Sequence, residues 1–424
     1  MTTQAITRRS FLRHSAITAI GLGLSGSAFR STAWAQTPSD KIVVLVNLFG
    51  GNDFLNTVIP LGQFDRYRNL RPMLHIPADR AIALPDRPDI GLNPGLASLG
   101  NLYAQGKVAV VVGTGAPQNA QGLFDHEASQ LNLQSGGISG SGFTGVPSGW
   151  IGRWLDSITP GAAPAGVNIG GYASLTLAGE SRDALTVYSL DSFGVFPTFD
   201  SEARYAAYQR IQNVSSLDSR EPAARGRSLR NQVISLGDTF RQQTANYVPA
   251  AAYPEQNGLA DALRQCATLI HSGLGVRALA VGADGFDTHA AQNDGASQTE
   301  LGYHDYLLMT VGDAIAAFHA DLAGHGHAGQ VVTVVVSEFG RRALENTDIG
   351  TDHGFAGGMF VVGDSVHGGV YGDYPSLADS QLVFDGNIDV TTDFRSVYAT
   401  VLANHLGADP EQILGGSFPT IGFL

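Results

Sequence analysis

Six short apolar runs constrain this chain more than any other feature: 42–48 (IVVLVNL), 108–112 (VAVVV), 167–169 (VNI), 276–281 (VRALAV), 331–336 (VVTVVV) and 359–362 (MFVV). A strand with one wet face alternates apolar and polar residues. These runs barely alternate, so both of their faces must be covered. Helical patterns lie between several of them. Residues 301–322 (LGYHDYLLMTVGDAIAAFHADL) and 394–406 (FRSVYATVLANHL) repeat apolar residues at helical spacing, and Asp393 is placed to cap the second. Buried strands alternating with such helices predict an α/β fold, an α/β/α sandwich around a mostly parallel sheet. Residues from about 200 to 248 depart from this pattern. They are polar, rich in Arg and Gln and helix-prone, which reads as a helical insertion on the sandwich.

The first 35 residues read as an address. Thr7-Arg8-Arg9-Ser10-Phe11-Leu12 matches a twin-arginine export signal, and a mildly apolar Gly/Ala/Ser-rich stretch follows it. Ala33-Trp34-Ala35 is a small-x-small cleavage site that makes Gln36 the first mature residue. The apolar stretch is too short and too rich in Gly and Ser for a stable spanning helix, so no permanent membrane anchor is expected. The expected partner is the twin-arginine export machinery, and the expected destination is the periplasm or the cell exterior. Residues 36–424 are then expected to form one domain. Loss of the four signal arginines would take the formal charge from −13 to −17. Such an acidic chain is not built to bind nucleic acid. A single cysteine, Cys266, can form no intrachain disulfide and no thiolate metal cluster; its Leu and Ile neighbours suggest a buried thiol.

In open α/β sheets, ligands gather beyond the carboxyl ends of the strands. There the sequence places Asn52, Asp53 and Asn56 after the first run, and Thr114, Asp125, His126 and Glu127 after the second. Asp284, Asp287, His289 and Gln292 follow 276–281, and Glu338 follows 331–336. Asp352 and His353 stand in the turn before 359–362. Carboxylate with imidazole is a ligand set for a divalent cation: Zn, Mn, Mg or Ca. Asp287 and His289 would face the same side of an extended segment. Each has a plainer reading. Asp53 could close a turn, and Asp287 could cap a helix starting at Ala290. Glu338 could pair with Arg341 or Arg342 at the surface, and Asp352 with His353 could be a hydrogen-bonded pair. His319, His325, His367 and His405 read as ordinary surface or core histidines. The recurrence of acids and imidazoles at successive strand ends is a stronger signal than any one of them.

FGGNDFLNTVIPL (49–61), Tyr67, Arg71-Pro72, GFDTHAAQ (285–292), the stretch VVVSEFGRRALENTDIGTDHGFAGGMFVVGDSVHGGVYGDYP and then TTDFRSVYATVL resemble successive motifs of the family catalogued as domain of unknown function 1501. That family is grouped with the alkaline phosphatases, sulfatases and cofactor-independent phosphoglycerate mutases. The resemblance implies an alkaline phosphatase-like fold and a metal-dependent hydrolase acting on phosphate or sulfate esters, with a small anionic ester as substrate. It implies Asp53, Asp287, His289, Glu338 and His353 as metal ligands, and Asp352 as a ligand or an orienter. Arg341 or Arg342 would bind the anion, and His126 would serve as general acid or base. The relatives carry a Ser or Thr nucleophile at a helix start after the second strand. Phe124-Asp125-His126-Glu127 stands there in this chain, so Asp125 takes the serine's position, with Thr114 and Ser129 as other hydroxyls to consider. A non-catalytic periplasmic binding or assembly protein that keeps the fold is the alternative, favoured by the missing serine and by the insertion. A redox enzyme fits poorly: GGND is not a dinucleotide fingerprint, and one cysteine cannot hold an iron–sulfur cluster.

Overall fold

A computed structural model describes residues 40–116, 124–137, 148–158, 164–182, 184–194, 201–212, 221–296, 300–384 and 386–424. The export signal expected at residues 1–35 lies outside the described residues. Nine strands form the main sheet: β1 (Ile42–Leu48), β2 (Val108–Gly115), β3 (Gly166–Ile169), β4 (Leu185–Val187), β5 (Ala278–Ala283), β6 (Val331–Ser337), β7 (Gly357–Val362), β8 (Gly369–Tyr371) and β9 (Thr392–Asp393). They lie in the order β8-β2-β7-β6-β1-β5-β3-β4, with β9 beside β2. Every pairing is parallel except those of β7, which runs antiparallel between β2 and β6. Because of that reversal, β7 starts at the sheet edge where β2 and β6 end.

Strand alternation produces the layers. Ile42, Val44, Val46 and Leu48 of β1 enter one core, and Val43 and Leu45 enter the other. All seven β1 residues are buried, which is why the run shows so little alternation. The first core is covered by α3 (Gly258–His271) and α4 (Tyr303–Gly324), through residues such as Leu263, Leu269, Ile315 and Phe318. Trp150, Trp154, Val397, Tyr398 and Leu402 cover the second. Burial of each such side chain contributes about 1.5–3 kcal/mol. The result is the expected three-layer arrangement with a mixed, mostly parallel sheet. By length and composition α4 could cross a membrane, but here its apolar residues pack on the sheet.

Asp393 caps Phe394–Thr400, its Oδ1 accepting the Arg395 N–H at 2.9 Å. The helix expected over 394–406 then ends in a π turn, Val401–His405. Within 200–248 the chain forms Glu202–Gln212 and α2 (Glu221–Asn246), the helices expected of that stretch. The strand expected at 276–281 begins two residues later, because the N–H groups of Arg277 and Ala278 both turn to the Ala165 carbonyl. Cys266 is fully buried and unpaired, and burial raises its thiol pKa, as suits an inert core residue.

Candidate metal centre

The chain after β5 runs beside the chain after β1, with Phe286 N–H donating to the Phe49 carbonyl at 3.1 Å. Only glycine fits at position 50. Its φ is +119°, and a Cβ there would lie 2.2 Å from the Asp287 nitrogen. This close approach holds Asp287 at the sheet edge with its carboxylate half exposed. Three imidazoles surround that carboxylate. His289 Nε2 and His353 Nε2 each lie 3.1 Å from Asp287 Oδ1, and His126 Nε2 lies 3.4 Å from Oδ2. The Nε2 atoms of His289 and His353 are 2.8 Å apart. His126 opens α1 (His126–Ser135) beyond β2, and His353 stands in the turn before β7.

The groups behind the rings decide where their protons sit. His353 Nδ1 is 2.7 Å from the Phe124 carbonyl oxygen, His126 Nδ1 is 2.9 Å from Glu338 Oε1, and His289 Nδ1 is 3.3 Å from Asp352 Oδ1. Carbonyls and carboxylates accept, so each neutral ring donates from Nδ1 and turns a lone pair outward at Nε2. Lone pairs facing a carboxylate and one another at these distances repel unless a proton or a cation lies between them. Burial lowers the His353 pKa, with the charges of Arg341 and His126 acting the same way and the Phe124 and Asp287 contacts opposing them. A proton is therefore disfavoured there near neutral pH. Imidazoles whose outer N–H is held by a carbonyl or carboxylate are a recurring feature of metal sites. The donor atoms of His126, Asp287 and His353 lie within 4.8 Å of one another. Three imidazole nitrogens and one carboxylate suit zinc better than magnesium or calcium.

Arg341 sets the charge of Asp287. Burial alone would raise that pKa, but the Arg341 Nη2 bond at 2.7 Å and the His353 contact outweigh it and hold the group at about 2. The guanidinium itself is fully buried and also donates to the carbonyls of Gly50, Gly51, Phe286 and Thr351. It thus ties the strand-end loops together and is out of reach of an external anion, unlike the anion-binding arginine expected from the sequence.

Glu338 and Asp352 stand behind the imidazoles. Glu338 has a buried side chain that accepts the Gly50 N–H at 2.8 Å as well as the His126 contact. Asp352 accepts from Asn346 Nδ2 at 3.1 Å, and this bond, with the His289 contact, lowers its pKa against the effect of burial. Asp125 is exposed and caps α1, its Oδ1 accepting the Ala128 N–H at 2.9 Å. Asp53 is not brought to the centre. It lies just before the helical turn Phe54–Thr57, which aims its side chain inward, and there it is fully buried. Its Oδ2 accepts from Arg71 Nη1 at 2.5 Å and Gln292 Nε2 at 2.6 Å. The Phe124 carbonyl and Gln130, whose Nε2 is 3.4 Å from Glu338, complete the surroundings; neither carries a sequence signal for this role.

Residues 137–416, well over half of the chain, match the family model described as "Protein of unknown function (DUF1501)". The chain belongs to the DUF1501 family. The matched segment holds Asp287, His289, Glu338, Asp352 and His353, whereas Asp53 and His126 precede it. No curated protein matches the sequence. Among solved structures, this DUF1501 chain is similar to the lipoteichoic acid synthase LtaP from Listeria monocytogenes, at 9% identity over 82% of this chain and 70% of that one, with a TM-score of 0.32. It is similar to the alkaline phosphatase from the Antarctic bacterium TAB5, at 14% identity over 77% and 92% of the two chains, with a TM-score of 0.29. The PsFucS1 sulfatase from Pseudoalteromonas sp. gives 13% identity over 95% and 72%, with a TM-score of 0.35.

Proposed function

We propose that this protein is an exported, metal-dependent hydrolase of phosphate or sulfate esters. The observation that carries the reading is the convergence of three imidazoles, each held through Nδ1, on the Asp287 carboxylate. His126, Asp287, His289 and His353 would hold the ion. A divalent ion bound there supplies Lewis acidity to an ester oxygen. The chain's own residues do the positioning. Glu338, Asp352 and the Phe124 carbonyl aim the three rings, and Arg341 keeps Asp287 ionised. The ester class follows from the motif resemblance, and export follows from the twin-arginine motif.

Among the described residues, no Ser or Thr hydroxyl hydrogen-bonds to Asp287 or the three imidazoles, and Asp125 occupies the helix start as its cap. Water is therefore proposed as the nucleophile, with no covalent intermediate on the protein. The test starts from protein expressed with its own first 35 residues. It should be recovered outside the cytoplasm, carry tightly bound divalent metal, and cleave an aryl phosphate or aryl sulfate. Mass spectra of quenched reactions should show no adduct. Retention in the cytoplasm would remove the export reading. Bound metal with no turnover on a broad ester panel would favour the binding or assembly protein, which Asp125 in the serine's place supports.

A further inference from the structure

Two segments bring Asp287, His289, Asp352 and His353 to the centre: 287–292 after β5 and 346–353 before β7. They lie side by side. The Ala291 N–H donates to the Asp348 carbonyl at 2.9 Å, Gln292 to Ile349 at 2.8 Å and Thr351 to Thr288 at 3.0 Å. The contact is close enough that a Cβ at Gly350 would stand 2.2 Å from the His289 carbonyl carbon. Two residues at this junction, Ala291 and Ile349, hold positive φ values of 48° and 55°. A left-handed backbone is strained for a residue with a side chain, most of all a β-branched one, so the surrounding bonds must over-determine it.

The Gln292 side chain supplies such bonds. Its Nε2 donates to Asp53 Oδ2 at 2.6 Å, and its Oε1 accepts from the Thr288 hydroxyl at 2.9 Å and the Thr351 hydroxyl at 2.8 Å. Asp53, held ionised by Arg71, can only accept, which settles the end of the amide that faces it. Thr288 stands between Asp287 and His289. Thr351 precedes Asp352 and His353, and its carbonyl accepts Arg341 Nη1 at 2.7 Å. One amide thus reaches from the buried Asp53–Arg71 pair to both segments. Asn346 Nδ2 joins the same segments from the more exposed side, through the His289 carbonyl at 2.8 Å and Asp352 at 3.1 Å, where water can replace it. Gln292 is only 1% exposed, so water does not replace its bonds when they are lost.

We propose that Gln292 is a positioning residue: anchored on Asp53, it locks the two segments together and so fixes the spacing of His289 and His353. This rests on the reading of the Asp287 centre as a metal site. The test compares full-length wild type with Gln292→Leu and with Thr288→Val/Thr351→Val, which remove the bonds at similar side-chain volume. In chelator-stripped protein titrated against a chromogenic chelator, zinc affinity should fall about ten- to a hundredfold in both. Thr288→Ser/Thr351→Ser keeps both hydroxyls and should stay within about threefold of the wild type. A role in stability alone would lower the metal-free unfolding temperature and leave the zinc affinity of the folded protein unchanged. Hydrogen exchange of metal-free protein reads the lock without zinc: the Gln292 and Thr351 amides should exchange more than about tenfold faster in both loss variants, with β1 unaffected. If Gln292→Leu does not fold, the valine pair carries the test. Wild-type zinc affinity in a folded loss variant overturns the proposal, as does unchanged exchange, or an equal loss in the serine pair. Wild-type protein that binds no zinc, with the faster exchange still seen in the variants, ends the metal reading and supports Gln292 as the lock between the segments.

Discussion

Arg71→Ala is expected to destabilise the fold by about 3–5 kcal/mol, the cost of stranding a buried charge. Arg71 and Asp53 are both fully buried. Asp53 Oδ1 has no hydrogen-bond partner, so removal of the guanidinium leaves the carboxylate with Gln292 Nε2 alone. Arg71 also bonds Asn56 Oδ1 and the carbonyls of Arg342 and Ala343, so its loss opens several acceptors at once. The double change Asp53→Asn/Arg71→Met removes both charges and should recover much of the lost stability. The sign of the pH dependence differs between the proteins. In the wild type burial raises the Asp53 pKa, but Arg71 and its hydrogen bonds outweigh burial and bring it below the ordinary value. Asp53 therefore contributes stability above about pH 4, and this is lost as pH falls through its lower folded pKa. In Arg71→Ala burial is left to dominate, so the folded pKa rises above the unfolded one, and part of the deficit should disappear as the medium is acidified toward that value. Urea unfolding of both proteins between about pH 5 and pH 8 measures this. A deficit under about 1 kcal/mol, the range of a surface pair, would show that the buried pair does not hold this loop.

What the sequence disclosed depends on how locally each feature is encoded. β1 was readable because seven consecutive buried residues leave a run without alternation. β4, β8 and β9 are two or three residues long and leave no such run. The reversal of β7 was not readable, since 359–362 is as apolar as β2 and β6, between which it runs antiparallel. Asp287, His289 and His353 were singled out because strand ends share an edge, and the structure brings these three together. Glu338 and Asp352 lie at the same edge, the first read from the sequence as a ligand and the second as a ligand or an orienter. They differ from Asp287 in standing behind the rings, a matter of depth that spacing does not encode. Asp53 was misplaced for a related reason. Its partner, Arg71, stands in the quoted Arg-Pro motif, but nothing local shows that a four-residue helical turn will aim the carboxylate inward at it. His126 was visible as a strand-end imidazole, and its place facing Asp287 depends on Glu338, 212 residues away, holding its Nδ1.

That division between ligands and the groups behind them sets the other large effect. Asp287→Asn is expected to empty the centre, lowering divalent-metal affinity by more than about a hundredfold and ester turnover with it. Among the described residues, Asp287 is the carboxylate toward which all three Nε2 atoms turn, and Arg341 holds it ionised near neutral pH. The amide removes that charge and can place an N–H₂ group where the cation would sit. Glu338→Gln should be milder, on the order of ten- to a hundredfold, because an amide oxygen at the Oε1 position can still accept from both His126 Nδ1 and the Gly50 N–H, and only the charge is lost. Competition with a chromogenic chelator orders the two variants, and thermal unfolding without metal shows whether each remains folded. Wild-type affinity in folded Asp287→Asn protein would end the assignment of this carboxylate as a ligand. If Glu338→Gln instead loses the ion and Asp287→Asn keeps it, the two acids exchange roles, and the ion must lie deeper, between Glu338 and the Gly50 turn.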